Sequence, residues 1–226
     1  MCGRFQLSVK GKHISERFNV EVFDELYRPS YNCAPSQKLP VIINQNPDEL
    51  SYLQWGLIPF WAKDPKVGFR NINTRSETIN EKPSFKNAFK MRRCLIPCNG
   101  FYEWKKDTNK TPFRIFLKND ELFAMAGIWE TWNDAAKREI NTFSIITTSA
   151  NTAIADIHNR MPVILKPEHE QFWLMEKDVN NLFKLLLPYD STKMDFYPIS
   201  KQVNSPGNNN PEIALRDEGG QQVLFD

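Results

Sequence analysis

The chain reads as a single α+β domain, with mixed and antiparallel β-sheets curled around one core and helices at the periphery. Three observations predict it. Short runs with strand character recur from residue 5 to residue 200, parted by turn residues at irregular intervals, which argues against an alternating βαβ sheet. Helical periodicity is confined to a few short stretches. A length of 226 residues, 41% hydrophobic and 25% charged, suits one soluble unit with a sizeable core. No repeat, low-complexity tract or linker divides it, so the domain runs 1–226. Residues 205–226 are expected as a mobile tail, because SPGNNNPE (205–212) is loop chemistry.

In chain order, Phe5-Gln6-Leu7-Ser8-Val9 opens as a strand. His13 to Phe23, with Ile14, Phe18 and Phe23 at mixed spacing, reads as a helix followed by a second short one. LPVIIN (39–44) and LSYLQWGLI (50–58) flank the turn residues NPDE (46–49) and read as one hairpin. Pro59 to Lys66 is an aromatic, basic loop bounded by prolines, and loops carry function more often than element interiors do. Pro83 opens a short helix with Phe85, Ala88 and Phe89 on one face. Its basic end, with Lys86, Lys90, Arg92 and Arg93, suits a helix C-terminus and also a phosphate. CLIPCNGFYEWKK (94–106) reads as a strand, and 111–132 as a hairpin turning at Asn119-Asp120. Further strands are expected at 140–151 and 161–165, joined by a helix or turn at 152–160. EHEQFWLM and VNNLFKLLL are amphipathic helical runs, with Phe172, Trp173, Leu182, Phe183, Leu185 and Leu186 as core contacts. DFYPIS (195–200) is a last short strand.

Composition narrows the function classes. No stretch approaches the roughly 20 apolar residues of a membrane span, and MCGRFQLSVKGKH lacks a signal-peptide core. An intracellular, cytoplasmic protein is expected. Its four cysteines then read as free thiols rather than a disulfide framework. Cys94 and Cys98 lack a second Cys or His pair at zinc spacing, so no metal or other cofactor is expected, and Cys33, Cys94 and Cys98 read as buried structural residues. A net charge of +2 is too mild to argue nucleic-acid binding by itself. Six Trp and sixteen Phe serve a core or a stacking surface for bases.

Chemistry concentrates in a few positions. Cys2 follows the initiator Met, and its small side chain invites removal of Met1 by an aminopeptidase. The freed residue carries a thiol and an α-amine, and that amine titrates about 2.5 units below a lysine. A 1,2-aminothiol condenses with an aldehyde through the amine, and the thiol then closes a five-membered thiazolidine. The alternative is an accidental Cys behind a start Met. Glu103, flanked by Tyr102 and Trp104, is a candidate general acid/base if its face is buried, or a solvent-facing residue of an edge strand. His158, between a helix and a strand, is a catalytic candidate or a capping residue. His13 and His169 read as surface. Asn73 and Arg75 are two apart and face one side of an extended segment, where Arg75 could hold a phosphate and Asn73 orient an amine. Arg4 and Arg160 are further phosphate candidates.

These residues converge on a known pattern. Met1-Cys2-Gly3-Arg4-Phe5 is followed by Tyr31-Asn32 with Ala34-Pro35, then by Trp55-Gly56-Leu57-Ile58-Pro59 and Asn73-Thr74-Arg75-Ser76-Glu77-Thr78. Arg93-Cys94-Leu95-Ile96-Pro97, Gly100-Phe101-Tyr102-Glu103-Trp104 and Asp156-Ile157-His158-Asn159-Arg160-Met161-Pro162 complete it. With these segments in order over residues 1 to about 200, the chain resembles the SOS response-associated peptidase family, also described as abasic-site-processing proteins.

The resemblance implies a positively charged groove for single-stranded DNA and covalent capture of abasic sites through a thiazolidine at Cys2, shielding the lesion. It implies that Asn73 orients the Cys2 amine, that Glu103 shuttles protons in capture and reversal, and that His158 assists sugar opening. It further implies DNA contacts from Arg4, Asn32, Pro35, Trp61, Arg75 and Arg160, with Trp61 as an aromatic wedge. Nothing in the sequence suggests an obligate oligomer, so a monomer is expected. The family name implies self-cleavage of an N-terminal extension, here Met1 alone, for which an aminopeptidase is the simpler route. Two other readings stay open at this level: an N-terminal-nucleophile peptidase using Cys2 with His158, and a non-covalent reader of damaged DNA.

Overall fold

The computed structural model describes residues 2–218. Its smaller sheet contains β1 (Arg4–Leu7), β2 (Ser30–Cys33), β7 (Gly100–Trp104), β8 (Pro112–Leu117) and β13 (Met194–Pro198), in the order β13-β8-β7-β1-β2. The larger sheet contains β3 (Lys38–Ile43), β4 (Asn46–Trp55), β6 (Arg93–Cys98), β9 (Phe123–Asn133), β10 (Glu139–Ser149), β11 (Arg160–Pro162) and β12 (Ile164–Leu165). Strand β9 pairs with β10 as well as with β6, so β10-β4-β3-β6-β9 closes on itself as a barrel. A short strand, β5 (Asn73–Arg75), lies parallel to β10, with Asn73 opposite Ile145. Helices α1 (Gly11–Phe18), α2 (Lys86–Met91), α3 (Pro167–Met175) and α4 (Val179–Phe183) lie outside the sheets. The α+β class and the sheets curled around a core stand as the sequence predicts.

The chain changes sheets where the sequence suggests it should continue straight. The strand expected over 94–106 is two: β6 belongs to the barrel and β7 to the smaller sheet, with Asn99 as the switch. The turn at Asn119-Asp120 is present, with both residues at positive φ (67° and 51°). Its flanking strands β8 and β9 do not pair with each other, and each joins a different sheet. Every residue of β6 is buried, so no polar alternation marks which partner it takes. The two crossings are tied together by one buried side chain. Arg114 donates from Nη2 to Asn99 O (3.2 Å) and Asp120 Oδ1 (2.6 Å), from Nε to Gln6 Oε1 (2.9 Å) and from Nη1 to the Tyr197 hydroxyl (3.1 Å).

Aromatic packing joins the sheets. Phe5 of the smaller sheet lies 5.3 Å from Trp55 of the barrel, and Trp55 stacks on Phe143 at 6.1 Å. All three are buried. Losing a ring of this size from a close-packed core costs about 3–5 kcal/mol, so this stack anchors the start of the chain. Arg93 is no phosphate ligand: it is buried and donates to Phe89 O and Lys90 O at the end of α2 and to Trp173 O, Leu174 O and Glu176 O at the end of α3. One guanidinium thereby caps two helix C-termini, as orphan carbonyls and helix dipoles favour. Arg92 instead pairs with Glu130 at 2.7 Å.

Other boundaries shift for local reasons. Helix α1 stops at Phe18 because Asn19 adopts a left-handed conformation (φ 53°). The first hairpin turns at 44–45, not 46–49, because Asn44 docks on Arg93 through its backbone and side chain. Phe172 faces out, while Trp173 and Leu182 enter the core as expected.

The segment expected to loosen at 205 is buried at Ile213 and Ala214 and hydrogen-bonded to the fold as far as Asp217. Ile213 is buried with Tyr102, Ile199 and Val203 in a second small core, and Asn209 Oδ1 accepts from Tyr31 N and Asn32 N. An isoleucine and an asparagine with partners that far away in sequence override the Gly/Asn/Pro composition. Residues 219–226 of that expected tail lie outside the described residues.

Candidate functional site

Antiparallel pairing of β1 with β7 (Arg4 opposite Tyr102, Phe5 opposite Phe101) brings the start of the chain beside Glu103. Parallel pairing of β5 with β10 brings Asn73 to the same place. Asn73 Nδ2 donates to Cys2 O at 2.7 Å inside the protein. Asn73 Oδ1 is buried and has no partner among the described residues, so the same amide holds one acceptor in reserve. The Cys2 side chain is wholly buried, with Sγ 3.6 Å from Arg4 O. Burial pushes its thiol far above the ordinary range, and the Glu103 charge adds to the shift. At neutral pH the group is therefore a thiol, not a thiolate.

Glu103 is 2% exposed. Burial raises its carboxyl above the usual range, opposed by the Trp104 backbone contact and the Lys106 charge. His158 lies in the turn before β11. Its Nδ1 is 3.0 Å from Arg160 N and 3.3 Å from Arg160 O. An amide N–H can only donate, so Nδ1 accepts and the proton of the neutral ring sits on Nε2. Burial pushes the imidazole down to about 4, with the Lys106 and Arg160 charges acting the same way. The ring is neutral at physiological pH and donates only from Nε2.

Arg75, Lys106, His158, Asn159 and Arg160 line an open depression of about 370 Å³. Lys106 Nζ donates to Asn159 Oδ1 at 3.1 Å. Three permanent cations around one hollow suit an anion. Arg160 is only partly available to one. Its Nη1 and Nη2 donate to both carboxylate oxygens of Glu77 (2.5 and 3.0 Å), and Nη2 also donates to Thr147 O (2.6 Å).

Other predicted contacts separate. Arg4 lies on the face of the smaller sheet that carries Gln6, Tyr102 and Arg114, because side chains alternate along a strand. Its guanidinium donates to Asn32 Oδ1, Val203 O and Asn204 O. Asn32 is buried and donates to Val203 O, Ser205 O and Asn208 O. Expected at phosphates, these two side chains have their donors engaged in holding the 203–208 segment. Pro35 is half-buried in the tight turn before β3, where Ser36 takes φ 70°.

Trp61 is 52% exposed, beside exposed Phe60, on a loop that also presents Phe69. That loop is closed at its base by two glycines. Gly56 has φ 125°, and a Cβ there would meet Gly68 O at 2.7 Å. Trp132 Nε1 holds the loop from inside through Ala62 O (2.7 Å).

Sequence reasoning did not single out Lys106 or Thr147, and met Glu77 only within a motif. Lys106 had a signal, as the first basic run after the aromatic strand that carries Glu103. Thr147 had none, since it acts through a backbone carbonyl.

A family model described as SOS response associated peptidase (SRAP) matches residues 1–206. Among curated proteins, the chain is 49% identical to the abasic site processing protein YoqW of Bacillus subtilis, over 94% of this chain and 98% of that one. It is 35% identical to the abasic site processing protein HMCES of Rattus norvegicus, over 82% of this chain and 64% of that one. A solved protein structure from Bacteroides thetaiotaomicron superposes with a TM-score of 0.88 at 33% identity, covering 96% of this chain and 100% of that one.

Proposed function

The chain belongs to the SOS response associated peptidase family, and from that premise we propose that it captures abasic sites in single-stranded DNA as a covalent thiazolidine at Cys2, once Met1 is removed. The observation that carries this reading is the Asn73 amide, which grips Cys2 O with Nδ2 and keeps Oδ1 as a buried acceptor for the α-amine.

The amine attacks the C1′ aldehyde of the ring-opened abasic sugar. Glu103, with its raised pKa, supplies the proton that lets water leave as the imine forms. The thiol adds to the imine carbon, its proton passes to the carboxylate, and the ring closes. The balance is aldehyde plus aminothiol giving thiazolidine plus one water. His158 donates from Nε2 toward the sugar oxygen that is released on opening. The same groups run the steps backward in adduct reversal.

Arg75 and Lys106 supply the phosphate seat, and Trp61 supplies the ring on which a base stacks. Arg4 and Asn32 brace the fold behind the site. Pro35 shapes the turn beside β3. The protein acts as a monomer on DNA in the cytoplasm. A thiol peptidase is the weaker reading, because it requires a thiolate nucleophile and burial holds Cys2 in its thiol form. Addition to an activated imine asks less of the sulfur.

The test is intact mass after mixing the protein with a single-stranded oligonucleotide bearing one abasic site. The expected product is a heat-stable adduct at the summed mass less one water, on a chain lacking Met1. Cys2→Ala forms none, and Cys2→Ser gives an imine that borohydride traps without the stable adduct. A chain free of Met1 that forms no adduct, or a full-strength stable adduct from Cys2→Ser, refutes the assignment.

A further inference from the structure

Arg160 stands among the cations of the hollow, yet both of its terminal nitrogens are engaged by other groups. Both oxygens of Glu77 grip its terminal nitrogens, and Thr147 O on β10 holds Nη2 from the other side. The Arg160 side chain is 13% exposed. An arginine held by a bidentate carboxylate and a backbone carbonyl is part of a frame. The two elements it joins are informative. Glu77 sits two residues after β5, which carries Asn73 and Arg75, and Arg160 begins β11, directly after the His158 turn. Both strands are registered on the same stretch of β10: Thr147 faces Arg75 on one side and Pro162 on the other, with Ser149 opposite Arg160. The backbone N–H of Arg160 is also the donor that sets the His158 tautomer.

We infer that Glu77 is a positioning residue for abasic-site capture: through its bidentate grip on Arg160 it locks the 158–160 turn against β5 and thereby keeps His158 as the Nε2–H donor beside Arg75. The inference rests on the capture chemistry proposed above. It assigns Arg160 to the frame and leaves Arg75 and Lys106 to meet phosphate. Without Glu77, the Arg160 guanidinium keeps only Thr147 as a hydrogen-bond partner among the described residues. The turn loses its outer anchor, and the imidazole can exchange its Nδ1 contact.

The test variant is Glu77→Gln, which preserves shape, removes the charge, and alters a side chain that is half exposed. Crosslinking to an abasic oligonucleotide is followed against oligonucleotide concentration. In parallel, the protein labelled with ¹⁵N-histidine is read by long-range ¹⁵N–¹H correlation, which distinguishes ring tautomers without any DNA. The His158 signal is identified by its loss in His158→Gln. The expected result is a maximal crosslinking rate lower by about tenfold, in line with small misplacements of reacting groups. The half-saturating concentration stays within about twofold, and the His158 pattern passes from pure Nε2–H to a mixture. The charge-reversed pair Glu77→Arg with Arg160→Glu restores part of the rate. An unchanged rate, an unchanged tautomer, a faster rate with tighter half-saturation, or a loss confined to half-saturation each overturns the inference. The histidine spectrum is independent of crosslinking, so a wild-type protein that forms no adduct defeats the capture reading while this assignment is still decided.

Discussion

The two faces of the smaller sheet bury polar side chains for opposite ends. On one face Gln6, Tyr102 and Arg114 form a closed network, with Arg4 beside it. Arg114 reaches four partners, Tyr102 donates its hydroxyl to Tyr31 O at 2.8 Å, and Arg4 ends on carbonyls of the 203–204 segment. One residue along the same strand, on the other face, Glu103 lies with Cys2 and Asn73 against the barrel. There the polar groups are kept away from their ordinary titration ranges, with the carboxyl and thiol pushed up. A network saturated by carbonyls rigidifies a fold and has little chemistry left. Groups whose titration is shifted by desolvation are candidates for proton exchange. The difference is produced by a step of one residue on a strand, from Tyr102 to Glu103.

The comparison breaks most visibly at Glu103. Glu103→Gln should slow crosslinking by on the order of 10²-fold or more, as loss of a general acid/base does. Binding to undamaged single strands should be unchanged, as gel shift would record. Its fold should not suffer. A carboxyl whose folded-state pKa lies above its unfolded value costs stability above the unfolded value, so at pH 8 the amide should melt no lower than wild type. A melting point several degrees lower would place Glu103 with the structural face.

Arg114→Met is the mirror experiment. It strips the saturated face, taking the guanidinium donor from Asn99 O and Asp120 Oδ1 and leaving Gln6 Oε1 only the longer 3.3 Å contact with the Tyr102 hydroxyl. Loss of about 3 kcal/mol in chemical unfolding is expected, with the crosslinking rate per folded molecule unchanged. A stable variant with impaired capture would erase the distinction between the faces.

Smaller effects sharpen the contrast. Arg75→Ala should weaken single-strand binding by about tenfold and flatten the salt dependence by roughly one counterion, whereas Arg4→Ala should lower the melting point with the salt slope intact. Comparison of the two slopes checks which arginine meets phosphate.

The mildest prediction concerns pH. The folded-state pKa of His158 is about 4, below the usual 6.5, so the unfolded chain takes up a proton first as pH falls. Its contribution to stability is complete above 6.5 and is lost as pH drops toward 4. Denaturation midpoints between pH 6.5 and 4 should fall less steeply in His158→Gln than in wild type.

Legibility followed how local the cause was. The cysteine directly behind Met1, the aromatic flanks of Glu103 and the same-side placement of Asn73 and Arg75 are properties of neighbours in sequence, and they lead to the segments that surround the site. The hairpin expected at 111–132 and the strand expected at 94–106 were misread because a chain that swaps sheets looks locally like one that does not. The swap is held by Arg114, whose partners come from residues 6, 99, 120 and 197. Arg4, Asn32 and Arg160 carry charge or polarity that suits DNA, and in the fold they also hold Val203 O, Ser205 O and Thr147 O, a set of long-range contacts that no local motif spells out.

Fold class, family and the residue types from which capture chemistry can be assembled are legible in the chain alone, because period-2 alternation, turn residues and short motifs are encoded over a few positions. Long-range packing sets which carbonyls Arg4 and Arg160 reach, gives His158 Nδ1 the Arg160 N–H, and lets Asn73 grip Cys2 from across the fold. Those outcomes depend on burial and on partners tens of residues away, where hydrogen-bond geometry and desolvation act only after the strands have paired.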